Sequence, residues 1–138
     1  MPEYVRIFSN SLGRMETSGP ENELVSHFYE KFTQSSPEIA EKFANSDIER
    51  QKEMLRDSFK HVLSFSTKRQ SGEELERIAE RHSKADLNIE PRLYEAWMDS
   101  LVDAVRELDP EFDSAVETAW RIVMAPGVEF MKGHYDAA

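Results

Sequence analysis

The apolar side chains of this chain recur at intervals of three and four residues, not two. Such spacing lines one face of an α-helix, whereas a half-buried strand needs strict alternation. The faces run Leu24, Phe28, Phe32; then Ile48, Leu55, Phe59, Val62; then Leu75, Ile78, Ala79. They continue with Tyr94, Trp97, Met98, Leu101, Val105, Leu108, and with Phe112, Val116, Trp120, Val123. Tyr4, Ile7, Phe8 and Leu12 suggest a further short helix within residues 1–19, followed by linker. The pattern predicts an all-α fold, six or seven helices around one core.

Helix starts are marked by local chemistry. Proline is tolerated at the first helical position, where its missing N–H is no loss, and Ser or Asp caps the residue before. Ser36-Pro37, Glu90-Pro91 and Asp109-Pro110 each read as such a start. Ser46 with Glu49, and Ser71 with Glu74, have the spacing of capping boxes. Pro126-Gly127 falls inside the last apolar pattern and predicts a kink or an early end near residue 125.

A chain of 138 residues is long enough for one core and short for two, so residues 1–138 are expected to form one domain. The absence of cysteine excludes disulfides, thiolate nucleophiles, iron-sulfur clusters and Cys-type zinc sites. A net charge of -10, with no stripe of Lys or Arg, argues against nucleic acid and anionic membranes as partners. The N-terminus has no signal-peptide pattern and no segment approaches a membrane span, so a cytoplasmic location is expected. With five glycines there is no phosphate-binding loop, and neither GxSxG nor HExxH occurs.

Among His27, His61, His82 and His134, only His82 continues an apolar face, three residues beyond Ala79. An inward histidine at a helix end is either a hydrogen-bonded core residue or a metal ligand. Around it stands an ordered set: Phe28-Tyr29-Glu30-Lys31-Phe32, then Ser36-Pro37 through Phe43, then Gln51 through Leu55, and after it Pro91, Tyr94 and Trp120. From residue 20 to about 132 this succession resembles the bacterial single-domain globins and the globin domain of the flavohaemoglobins.

The resemblance implies a globin fold holding haem b, with His82 as the iron ligand and Phe43, Leu55, Ile78 and Tyr94 against the cofactor. It implies a distal side formed by Tyr29, Gln51, Phe28 and Leu55, where the Tyr29 hydroxyl and the Gln51 amide would stabilise a bound gas. The expected partners are diatomic gases: oxygen, nitric oxide or carbon monoxide. The flavohaemoglobins further imply nitric oxide dioxygenation, which here would need a separate reductase. Tyr94 matches their proximal-side tyrosine, but Gly133, His134 and Tyr135 stand where the partner glutamate is expected, with Glu129 a turn too early. Two other functions stay open at this point: a haem-based gas sensor acting through a partner protein, and a haem-free interaction module.

Overall fold

The computed structural model describes residues 3–16, 23–45, 47–68, 76, 77, 79, 90–133 and 135. Among the described residues six helices are delimited: α1 (Glu3–Glu16), α2 (Leu24–Gln34), α3 (Pro37–Phe43), α4 (Ile48–Lys68), α5 (Leu93–Leu108) and α6 (Ser114–Gly133). Glu76, Arg77 and Ala79 are also helical, Ala79 fully buried, and no strand occurs among the described residues. The all-α expectation holds.

At α3 the local chemistry acts as its sequence suggests. Ser36 caps the helix by accepting from the Ile39 amide at 3.2 Å, and Pro37 occupies the first turn. Ahead of α4 the Asp47 carboxylate accepts from the Arg50 amide at 3.3 Å. Ser46 lies outside the described residues, as do Ser71 and Glu74. At α5, Pro91 and Arg92 form a turn closed by the Leu93 amide on the Glu90 carbonyl at 2.9 Å, so the helix begins two residues after the proline.

Two expectations are corrected. Asp109-Pro110 does not open a helix: Asp109 ends α5, and α6 starts at Ser114, with Asp113 accepting from the Val116 amide at 2.9 Å. The Asp109 carboxylate is engaged elsewhere, by side chains of α1. Nor does the last helix stop near residue 125, because α6 runs through Pro126 to Gly133. Met124 before the proline and Gly127 and Val128 after it are all buried, so packing on both sides outweighs the lost backbone bond.

The core centres on Trp120 of α6, which is fully buried. Phe8 of α1 meets its ring at 4.5 Å between centroids, and Phe59 of α4 at 5.8 Å and 86°. Burial of an aromatic of this size contributes about 3–5 kcal/mol against truncation to alanine. The indole N–H donates to Ser11 Oγ at 2.9 Å, and Ser11 in turn donates to Asp109 at 2.6 Å. Arg14 closes the network with two bonds of 2.7 Å to the same carboxylate, which is fully buried. α1 is thereby fastened to the α5–α6 corner, and α2 packs on α5 while α4 packs on α6. Among the described residues no helix is long and apolar enough to cross a membrane.

Candidate functional site

Five helices leave a cavity of about 330 Å³ between them, within the roughly 300–1,000 Å³ usual for cofactor and ligand pockets. Helix α4 supplies its longest wall through Gln51, Met54, Leu55, Ser58, Phe59 and Val62. Those positions step by three, one, three, one and three residues, the stripe that one face of a helix presents. α6 faces it with Met124, Gly127, Val128 and Met131, by the same spacing. Tyr29 and Phe32 of α2, Ile39, Lys42 and Phe43 of α3, and Leu93, Tyr94 and Trp97 of α5 complete the lining.

Tyr29 enters from α2 with its hydroxyl donating to the backbone carbonyl of Gln51 at 3.3 Å. Burial raises its pKa above the ordinary tyrosine value, so the group stays a neutral donor. Phe43 stands at the end of α3, edge-on to Tyr29 at 5.8 Å and to Phe32 at 5.9 Å. These contacts hold the ring at the cavity wall. Leu55 follows Gln51 by one turn and is buried.

Tyr94, at the start of α5, is buried, and its hydroxyl has no hydrogen-bond partner among the described residues. Burial raises its pKa too. A buried hydroxyl with no partner costs on the order of 1–3 kcal/mol, so such a group in a cavity wall suits a site that a polar ligand or cofactor neighbour completes. Across the cavity, Gly127 lets α6 approach α4 closely: a Cβ there would lie 2.9 Å from Val62 Cγ1 and 3.2 Å from Cγ2.

Of the residues expected from sequence, Tyr29, Phe43, Gln51, Leu55 and Tyr94 all line this one cavity. Phe28 does not. It is fully buried against Tyr29 at 4.9 Å, Phe32 at 5.2 Å and Trp97 at 5.7 Å, as its place one residue before Tyr29 turns it toward α5. Ile78 and His82 lie outside the described residues, as does His134. Glu129 is exposed, 3.4 Å from Lys132 Nζ, and does not line the cavity. His27 and His61, not expected as ligands, are half-buried outside the cavity, His27 with Nδ1 at 3.1 Å from Glu107.

Sequence reading passed over Met54, Ser58 and Lys42. Met54 and Ser58 were within reach, since each follows an expected residue, Gln51 or Leu55, by three positions. Lys42 carried no such signal, being one charged residue on a short polar helix.

The Protoglobin family model matches residues 20–123. Over 125 residues the chain is 29% identical to the Flavohemoprotein of Vibrio cholerae serotype O1, an alignment covering 86% of this chain. The chain spans only 30% of that relative's length. A crystal structure of a Pseudomonas aeruginosa PAO1 protein, described as structurally highly homologous to a human hemoglobin, is similar with a TM-score of 0.87 and 34% identity. That match covers 96% of this chain and 98% of the other.

Proposed function

The chain belongs to the Protoglobin family and is a bacterial globin, and from that premise we propose that it binds haem b and, through it, reversibly binds oxygen or another diatomic gas. The family implies a haem cofactor. The observation that carries the reading for this chain is the convergence of Tyr29, Phe43, Gln51, Leu55 and Tyr94 on one apolar cavity. The residues present fit the cofactor: the walls are mainly aliphatic, aromatic and thioether, and the buried hydroxyl of Tyr94 has no partner among the described residues.

Haem, when bound, supplies the iron at which a gas coordinates. In our reading His82 would hold that iron through a ring nitrogen, the usual proximal ligand chemistry of haem. Phe43 packs against the porphyrin, its ring steadied by Tyr29 and Phe32. The Tyr29 hydroxyl would donate a hydrogen bond to a polar ligand in place of the Gln51 carbonyl. Gln51 offers its side-chain amide from the first turns of α4. Leu55, buried in the cavity wall one turn after Gln51, would help keep water from the bound ligand, which strengthens such hydrogen bonds. Ile78 and Tyr94 complete the cofactor's surroundings.

The distal pair also supports a second activity, nitric oxide dioxygenation, in which nitric oxide, oxygen and one electron yield nitrate. The similarity to a flavohemoprotein favours it, and the electron has to be supplied by a reductase. The test of the primary reading is the visible spectrum of haem-supplemented protein in the ferric, dithionite-reduced and carbon-monoxide-bound states. A reduced spectrum that converts fully on adding carbon monoxide is expected, whereas a spectrum identical to free haem in buffer would refute gas binding at this site.

A further inference from the structure

Haem is an apolar ring carrying two carboxylates, and a carboxylate taken into an apolar cavity must find a cation, a hydrogen-bond donor or water. Among the eighteen described residues that line the cavity, Lys42 is the one that carries a charge. It sits in the last turn of α3, directly before Phe43, and is half-buried. A half-buried lysine can lay its four-carbon stem along apolar surface and keep its ammonium toward water. The nearby carboxylate of Glu38, one turn earlier on α3, is bonded by Arg92. Its pKa is lowered chiefly by that bond and by the Arg92 charge, with the charge of Lys42 adding to them.

We infer that Lys42 receives a carboxylate of the cofactor, so that the end of α3 sets the cofactor's orientation by charge at Lys42 as well as by packing at Phe43. The inference rests on the haem reading above. It concerns how firmly and which way round the cofactor sits, not whether gas binds.

The experiment measures cofactor release to excess apomyoglobin from wild type, Lys42→Met and Lys42→Arg, each loaded either with haem or with haem dimethyl ester, whose side arms are uncharged. Lys42→Met should release haem about two- to fivefold faster than wild type, the range for one partly screened ion pair. Lys42→Arg, which keeps the charge, should stay close to wild type. With the dimethyl ester, wild type and Lys42→Met should release at the same rate. Equal haem release from wild type and Lys42→Met would overturn the inference, and so would an acceleration of the same size with the ester, since that would assign Lys42 to packing alone. A wild-type chain that takes up no haem would instead defeat the haem reading itself, and this inference with it.

Discussion

The hydroxyl of Tyr29 on α2 donates to the backbone carbonyl of Gln51 on α4 across 3.3 Å, joining two cavity-lining residues by a bond that uses the main chain of one and the side chain of the other. The side-chain amide of Gln51 is not a party to it. A ligand that accepts from Tyr29 therefore has to take the place of the Gln51 carbonyl.

Tyr29→Phe removes one donor from a dry site while keeping the ring contacts with Phe28 and Phe43. A hydrogen bond of this kind is worth about 1 kcal/mol or somewhat more, so oxygen release should accelerate roughly five- to tenfold. Stopped-flow displacement of oxygen by carbon monoxide measures it. Unchanged release would remove Tyr29 from the ligand's surroundings.

Asp109 governs the attachment of α1. Burial alone would raise its pKa, but the bonds from Arg14, Ser11 and the Glu111 amide, with the Arg14 charge, outweigh burial and hold the carboxyl below its ordinary value. A carboxyl depressed in the folded state contributes stability that is present above the unfolded value, near 3.9, and is lost as pH falls through the folded value. Asp109→Ala should therefore cost about 1–3 kcal/mol at neutral pH, since it removes the acceptor of the buried Ser11 hydroxyl and two bonds of Arg14, which keeps Glu111 beside it. The deficit should shrink as pH drops below about 4. Urea denaturation of both proteins from pH 7 to pH 3 follows it; a pH-independent difference would contradict the network.

Gly127→Ala sets two effects against each other. Alanine favours a helix over glycine by about 1 kcal/mol. The new methyl, however, would meet Val62 within 3 Å, and valine has few rotamers with which to yield. Overpacking costs about 1–3 kcal/mol, so the single variant should be destabilised or at best neutral. In a Val62→Ala background the same change should be stabilising. A double-mutant cycle in thermal denaturation checks the reversal, and additive effects would show that the close approach carries no constraint.

Much of this was legible in the sequence where the governing physics is local. The cap at Ser36-Pro37 depends on residues three positions apart, and the sequence shows them together. The stripe from Gln51 to Val62 follows from helical spacing alone. Asp109-Pro110 misleads because the aspartate's partners, Ser11 and Arg14, lie far away in sequence and take up the carboxylate that would otherwise cap. Pro126 does not end α6, and the sequence could not show this because the burial of Met124 and Val128 is tertiary. Phe28 and Tyr29 are adjacent, so on a helix they point about 100° apart, and only the fold decides which of them faces the cavity.

The most direct test of the account is a titration of the purified chain with haem, wild type beside His82→Ala, with bound cofactor counted after gel filtration. One haem retained per wild-type chain, and none retained stably by His82→Ala although its helical circular dichroism is unchanged, is the result the account predicts. Equal retention of haem by the two proteins would contradict His82 as the iron ligand, and no stoichiometric retention by wild type would contradict the haem protein altogether.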